Sequence, residues 1–148
     1  QKSDRKTHSG KIQGQTIALK LSEHQEGMAL TRSIKTLLSR IVAQDFLPEI
    51  TARVHAINQA YFQSNIQQVR LKYNRSNWGS CSSNGNINLS TRLLFAPQAV
   101  IDYVIIHELA HTKEMNHSKR FWKIVEEIMP QYKEKEKWLK EHSHLCDF

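Results

Sequence analysis

The sequence has few cysteines and no long hydrophobic run, and both absences limit what the protein can be. Its two cysteines, Cys81 and Cys146, are too few for a disulfide scaffold or for a structural zinc site built from CxxC pairs. Cys81 is expected to be a small packing residue, since no activating pattern surrounds it. No apolar stretch approaches the roughly 18 residues that a membrane-spanning helix needs. No signal peptide is visible, which predicts a cytoplasmic protein, and the initial Gln in place of Met suggests missing upstream sequence.

The chain also lacks a concentrated block of positive charge. Its formal net charge is +7, from 21 Lys and Arg against 14 Asp and Glu. Residues 1–40 hold 8 basic and 3 acidic side chains, a balance of +5. This basic first third predicts either a weak contact with nucleic acid or a solvated surface that keeps the protein soluble. No interleaved aromatic pattern of the kind seen in nucleic-acid-binding proteins accompanies it.

Hydrophobic periodicity divides the chain into a flexible lead-in, residues 1–11, and one α+β domain over residues 12–148. Alternating apolar and polar side chains predict a strand over residues 12–21. Helical spacing predicts a helix over residues 24–43 and another over residues 48–62, with proline in its first position. The predicted buried stripe of this second helix consists of Ile50, Val54, Ile57 and Tyr61.

The middle of the chain predicts a small sheet. Residues 68–73 alternate apolar and polar, as a strand with one buried face does. Two short strand-like pieces then flank Asn84-Gly85, a strong signal for a hairpin turn. We therefore expect a three-stranded antiparallel sheet or meander.

Three helices are expected after the sheet. The first, residues 97–114, is apolar on nearly every side, with Asp102 as the only charged residue among its first ten, which indicates burial. Asn116 is expected to end it in a left-handed turn. A second helix over residues 118–129 begins at a capping serine and is broken by the proline that follows. The last helix, residues 131–142, is rich in Lys and Glu.

Residues 107–111 read HELAH, the HExxH pattern. Residues four apart share one face of a helix, so the imidazoles of His107 and His111 can converge on one metal ion. Glu108 points to the side, where it can accept a proton from a metal-bound water that attacks a carbonyl group. The pattern predicts one Zn²⁺ ion, with Glu108 as general base. The alternative is a pair of satisfied core histidines with Glu108 at the surface.

A catalytic zinc ion commonly has three protein ligands and one open position. His117 is the preferred third ligand, because its spacing from His111 matches the metzincin pattern HExxHxxGxxH. That pattern requires Gly where this chain has Glu114, so the turn before His117 must be made differently. The alternative third ligands are residues further on, namely Glu126, Glu127 and His142.

Further motifs surround HELAH on both sides. They are WGSCS at 78–82, GNINL at 85–89, RLL at 92–94, AP at 96–97, IDYVII at 101–106, NHS at 116–118, FW at 121–122 and Pro130. Together these motifs resemble the YgjP-like metallopeptidases, which are relatives of the SprT-like zincins. The resemblance is dense over residues 65–140 and loose over residues 12–64.

The resemblance implies a zincin-like core, in which a small antiparallel sheet packs with helices that include the HExxH helix. A strand beside that helix would bind peptide in extended form. The resemblance also implies that His107, His111 and His117 bind zinc and that Glu108 is the base of a metallopeptidase acting on peptides or proteins. The alternative is a zinc-containing nucleic-acid-associated or protein-binding module with little or no peptidase activity. Glu108 favours the enzyme, because a purely structural site gains nothing from a carboxylate there.

The C-terminal tail, residues 142–148, holds two histidines, a cysteine and an aspartate beside two apolar side chains. If the tail folds back over the cleft, one of its groups would cover the metal and keep the enzyme latent. Otherwise the tail packs on the core or frays in solvent.

Overall fold

The computed structural model of the protein describes residues 20–143, which form an α+β fold dominated by helices, as the sequence predicts. The lead-in predicted at residues 1–11 lies outside the described residues. A π-helical turn, Asn58–Phe62, follows the first helix, and a 3-10 turn, Thr91–Phe95, follows the last strand. The main elements in chain order are α1 (Lys20–Ile57), β1 (Gln68–Lys72), β2 (Gly79–Cys81), β3 (Asn86–Ser90), α2 (Gln98–Ala110), α3 (Lys119–Ile128) and α4 (Tyr132–His142).

The first helix is longer than the sequence predicts. It runs from Lys20 to Ile57 without a break and contains Pro48, so the expected division into two helices is wrong. Pro48 is exposed, and water can therefore bind the backbone carbonyl that the missing proline N–H leaves without a partner. Most of the strand predicted at residues 12–21 lies outside the described residues, and its last two positions belong to α1.

The end of α1 shifts the buried stripe by one residue. Ile57 is buried as predicted, but Tyr61 is 58% exposed and Phe62 takes the buried position instead. The cause is the π-helical turn that follows Ile57, because its wider turns move the inward-facing position along the chain. Asn58 holds this turn: its amide donates to the Ser64 carbonyl at 2.8 Å and accepts from the Ser64 N–H at 3.0 Å.

The sheet has the order β1-β3-β2, with β3 in the centre. β2 and β3 form the predicted antiparallel hairpin, but β1 pairs with β3 in parallel, so the prediction of an antiparallel sheet is wrong for that pair. The connection from β1 to β2 crosses the end of β3 instead of making a hairpin. The Ser90 hydroxyl holds this connection by donating to the Asn74 carbonyl at 3.0 Å.

Gly85 makes the hairpin between β2 and β3. Its φ of 88° lies in the region that favours glycine. Its N–H donates to the Ser82 carbonyl at 3.0 Å, and its carbonyl accepts from the Gln67 N–H at 2.9 Å. A Cβ atom at Gly85 would lie 2.3 Å from the Asn65 carbonyl oxygen. The turn signal in the sequence is therefore confirmed, and the close backbone approach gives a second reason for glycine.

We expect Gly85→Ala to lower the free energy of unfolding by about 2 kcal/mol or more. The strain of a left-handed conformation alone costs an L residue roughly 1–2 kcal/mol, and the clash with Asn65 adds to it. Gly27→Ala is the matched control, because a Cβ at this helical position would meet nothing within 4 Å. The control should be neutral or stabilising, since alanine is favoured in helices. Urea denaturation measures both variants, and equal stability of the two would contradict this explanation.

Helix α2 lies at the centre of the described structure, where it contacts β2, β3, α1, α3 and α4. Its burial confirms the sequence prediction. Its one early charge, Asp102, is paired with Arg53 of α1 through contacts of 2.8 and 2.6 Å, and it also accepts from the Gln98 amide at 2.9 Å. This hydrogen-bonded ion pair raises the pKa of the Arg53 guanidinium. Among residues 20–143, no helix is both long and apolar enough to cross a bilayer.

Candidate metal centre

Three imidazoles meet at the end of α2. Their ligand nitrogens, from His107, His111 and His117, all lie within 4.8 Å of one another. Zn–N distances of about 2.0–2.1 Å in a tetrahedral site require nitrogens roughly 3.4 Å apart. Small rotations of the rings would bring the three nitrogens to that separation. The cluster therefore fits one metal ion and contains all three residues that the sequence singled out as ligands.

The turn that delivers the third imidazole begins earlier than predicted. Helix α2 ends at Ala110, whereas the sequence predicts a helix over residues 97–114. The Thr112 N–H bonds the Leu109 carbonyl, three residues back, at 2.9 Å, and the Thr112 hydroxyl donates to the same carbonyl at 2.5 Å. The Ser64 hydroxyl lies 2.7 Å from that of Thr112. These contacts tighten the chain into a turn, so the helix stops before its predicted end.

The chain then returns to the site without a left-handed residue. Within residues 20–143, Gln63 is the only residue other than glycine with a positive φ, so the expected left-handed turn at Asn116 is wrong. The successive i to i−3 bonds after α2 make the turn instead. Ser118 caps α3 as predicted, since its hydroxyl accepts from the Phe121 N–H at 3.3 Å. That cap fixes the start of α3 directly after His117.

Two of the three imidazoles form hydrogen bonds through Nδ1, which leaves Nε2 of each of these rings available to a metal ion. Nδ1 of His111 lies 3.2 Å from the Glu114 carbonyl oxygen. Glu114 occupies the position of the metzincin glycine, and its backbone carbonyl orients the imidazole. Nδ1 of His107 lies 3.1 Å from Oε2 of Glu108. Both contacts favour a proton on Nδ1 and a free lone pair on Nε2, as is common for metal-binding histidines.

Aromatic side chains of α3 support the three imidazoles. The Phe121 ring lies 4.5–5.0 Å from all three, centroid to centroid, and Trp122 stacks on His117 at 6.0 Å. The pKa of His117 is lowered, first by desolvation and then by the two neighbouring imidazoles. A lowered pKa keeps the ring neutral, which metal binding requires. The sequence offered Phe121 and Trp122 only as part of the family resemblance.

Glu108 is buried, with 5% of its surface exposed, and lies against strand β2. A Cβ atom at Gly79 would lie 3.2 Å from Cγ of Glu108 and 3.0 Å from the Asn88 carbonyl oxygen. Gly79 therefore allows the strand to pass close to the carboxylate. Sequence reasoning missed this role, although Gly79 belongs to the WGSCS motif. Its only signal was a glycine within a predicted strand.

If Glu108 is the general base of a hydrolase, we expect Gly79→Ala to reduce hydrolysis roughly 10–100-fold, because displacement of a catalytic group by about 1 Å is costly. The added methyl group would displace Glu108 or separate β2 from β3. Metal content should stay unchanged, since no ligand moves directly. Ser80→Ala is the matched control, because Ser80 is the exposed neighbour on the same strand. Initial rates at equal zinc content measure the effect, and a fully active Gly79→Ala variant would contradict the role.

A cavity of ≈ 520 Å³ opens beside His107 and is walled by β2, α2, α4 and the segment before β2. Glu108 lines it together with two aromatic rings, those of Trp78 and Tyr103. The charged groups Glu136 and Lys140 line it from α4. The general-base candidate therefore faces a space large enough for part of a substrate.

Arg92 holds two walls of this cavity together. It is 5% exposed, and its guanidinium lies 4.2 Å from the centroid of the Trp78 ring. It donates to the carbonyls of Asn74 and Arg75 at 3.2 and 3.0 Å, and also to the carbonyl of Ser143 at the end of α4. The buried guanidinium of Arg92 therefore connects the segment that carries Trp78 to the end of α4, on the other side of the cavity.

The alternative third ligands lie outside the cluster. Glu126 and Glu127 are exposed on α3, and His142 stacks on Trp138 at 4.1 Å and lies 2.9 Å from its carbonyl oxygen. The tail beyond residue 143 lies outside the described residues, so its predicted regulatory role stays a prediction. Burial, with a smaller effect from Glu108, raises the pKa of Cys81 to about 11. A thiol protonated at neutral pH agrees with the expected packing role.

Comparison with known proteins places the chain in a family. The family model described as "YgjP-like, metallopeptidase domain" matches residues 1–142. The metallopeptidase zymogens Pyrococcus abyssi abylysin and Methanocaldococcus jannaschii jannalysin share the fold, with TM-scores of 0.56 and 0.55 at 24% and 20% identity. Each alignment covers 62% of this chain, and 93% and 94% of the respective zymogen chains.

A curated relative, the UTP pyrophosphatase of Escherichia coli (strain K12), is 28% identical over 75 residues. The aligned part is 51% of this chain, and it spans only 45% of that relative's length. The family model, in contrast, covers nearly the whole chain, including residues 12–64, where the motifs match only loosely. The protein therefore belongs to the YgjP-like metallopeptidase domain family.

Proposed function

We propose that the protein is a zinc-dependent metallopeptidase in which His107, His111 and His117 hold the metal and Glu108 is the general base. The observation that carries the proposal is the convergence of three imidazoles next to a buried carboxylate. A donor set of neutral nitrogens suits zinc, whereas magnesium and calcium prefer oxygen ligands. Zinc bound there would supply Lewis acidity and lower the pKa of water toward neutrality.

Glu108 has the surroundings that a general base needs. Its carboxylate lines the cavity beside His107, so a water molecule at the site can reach it. It can accept a proton from that water as the water attacks the substrate carbonyl, and can return the proton to the departing amine. The close packing of β2 restricts the Glu108 side chain, which lowers the entropy lost on reaching the reactive geometry.

The position of β2 favours an extended peptide as substrate. This strand is at the edge of the described sheet and contacts α2, the helix that carries Glu108. Its outer backbone groups can pair with a peptide by strand addition. A peptide held there would lie on the strand whose Gly79 packs against Glu108.

Hydrolysis of a nucleoside triphosphate is the second candidate, favoured by the similarity to a UTP pyrophosphatase. The same metal and base could direct water to phosphorus instead of carbon. The exposed Lys140 could contact a phosphate group, and the Trp78 ring could stack on a base. However, the carboxylates of Glu108 and Glu136 line the same cavity and would repel a triphosphate. We therefore prefer the peptidase.

The test offers both substrates to the same zinc-loaded protein. A reduced, alkylated protein substrate should gain new amino termini, and UTP should stay intact. Release of pyrophosphate or phosphate from UTP without peptide cleavage would replace the first candidate by the second. If neither substrate reacts, the chain is better explained as a zinc-containing binding module.

Contact with nucleic acid through the basic first third, and a cytoplasmic location, both stay predictions. Residues 1–19, which carry half of the basic side chains of that third, lie outside the described residues. If nucleic acid binds there, its affinity should fall steeply as salt increases, as counterion release requires.

A further inference from the structure

Tyr103 is a buried polar residue for which the proposed function gives no role. It precedes His107 by four residues on α2, so the two side chains share one face of the helix. Only 3% of Tyr103 is exposed, yet it lines the cavity together with His107 and Glu108. The residue therefore borders both the metal-binding histidines and the space where the proposed function places substrate.

Packing explains the Tyr103 ring but not its hydroxyl group. The ring stacks on Tyr132 at 6.5 Å and meets the His107 ring at 5.9 Å in an edge-on arrangement. Phenylalanine would make both contacts. Within residues 20–143, no hydrogen bond to another residue accounts for the hydroxyl. Among residues 20–143, the fully buried side-chain atoms without a partner are Oδ1 of Asn88 and Nε of Arg92, and the Tyr103 hydroxyl is not one of them. The hydroxyl is therefore accessible from the cavity that Tyr103 lines.

A tyrosine hydroxyl can donate a hydrogen bond, and its ordinary pKa is about 10. At neutral pH the group is therefore a hydrogen-bond donor. The two packed rings also fix its direction, so little side-chain freedom is lost when a ligand arrives.

We propose that Tyr103 is a catalytic residue whose hydroxyl donates a hydrogen bond to the substrate oxygen that gains negative charge during attack by water. This inference rests on the proposed hydrolytic function. It applies to a peptide carbonyl and to a phosphoryl group alike, since both develop charge on oxygen. A fixed donor next to a metal site stabilises that charge more in the transition state than in the ground state.

The first test is the variant Tyr103→Phe, which keeps the ring and removes only the hydroxyl. We expect kcat to fall about 10²-fold, the typical loss for one such donor, with KM and zinc content unchanged. Tyr132→Phe is the matched control, because Tyr132 is also buried and stacks on both Tyr103 and Trp122. The control should keep the wild-type kcat. A Tyr103→Phe variant with wild-type kcat would overturn the inference.

The second test does not depend on turnover. Methylphosphonate carries a small tetrahedral oxyanion, and its affinity for zinc-loaded protein can be measured by calorimetry. Tyr103→Phe should bind it about 10-fold more weakly than wild type or Tyr132→Phe, as expected for one hydrogen bond to a charged group. Equal results for the three proteins, including no binding by any of them, would overturn the inference. Failure of wild type to hydrolyse any substrate would instead count against the proposed function, and the phosphonate comparison would still decide the role of Tyr103.

Discussion

Replacing Glu108 with glutamine is expected to reduce hydrolysis about 10²–10⁴-fold while zinc content stays unchanged. Glutamine has the same shape but cannot accept a proton from water. The three proposed metal ligands are His107, His111 and His117, so replacing Glu108 removes none of them. The fold should also persist, since the amide fills the same buried space beside Gly79.

The matched control for this experiment is Glu127→Gln, which removes the same charge at an exposed position on α3. Initial rates on the preferred substrate and zinc analysis of both variants give the comparison. The control should match wild type in both measurements. If Glu108→Gln hydrolyses substrate at a rate near that of wild type, another group must activate the water and the proposed role is wrong.

Replacing His117 with alanine is expected to weaken zinc binding strongly. Loss of a residue that only hydrogen-bonds a metal ligand typically costs about 10–100-fold in metal affinity, and we expect loss of the proposed ligand itself to cost more. Two imidazoles and solvent make a poor zinc site, because structural and catalytic sites normally have three or four protein ligands. His117 is exposed, so its truncation leaves no large cavity and should not unfold the protein.

His142→Ala is the control, because this histidine stacks on Trp138 and was an alternative third ligand in the sequence. Competition with a chromophoric chelator measures the zinc affinity of both variants. His142→Ala should keep the wild-type affinity. If His142→Ala loses zinc and His117→Ala keeps it, the third ligand would come from the end of α4 and the described cluster would not be the metal site.

The proposed ligands and base could be predicted from sequence because they lie within eleven consecutive positions. The spacing of His107 and His111 is a property of any helix, and Ser118 marks the start of the next helix by local capping. The hairpin at Gly85 could also be predicted, because its turn signal consists of adjacent residues. Each of these features depends on a few neighbouring residues, which a single sequence contains in full.

The features that could not be predicted depend on contacts between distant residues. Alternation over β1 shows which side chains are buried, but it does not show which strand is its neighbour, so the parallel pairing with β3 was missed. The early end of α2 involves Ser64, which lies 48 positions before Thr112. The roles proposed for Gly79 and Tyr103 likewise depend on the packing of β2 and α4 around α2.

Anomalous diffraction from crystals of the zinc-loaded protein, recorded on both sides of the zinc absorption edge, tests the central claim most directly. It locates the ion without reference to activity or substrate. We expect one strong peak between His107, His111 and His117, about 2.0–2.1 Å from one nitrogen of each ring. A fully occupied zinc peak at any other position, or a peak that touches only two of these imidazoles and a different protein ligand, would contradict the assigned metal centre.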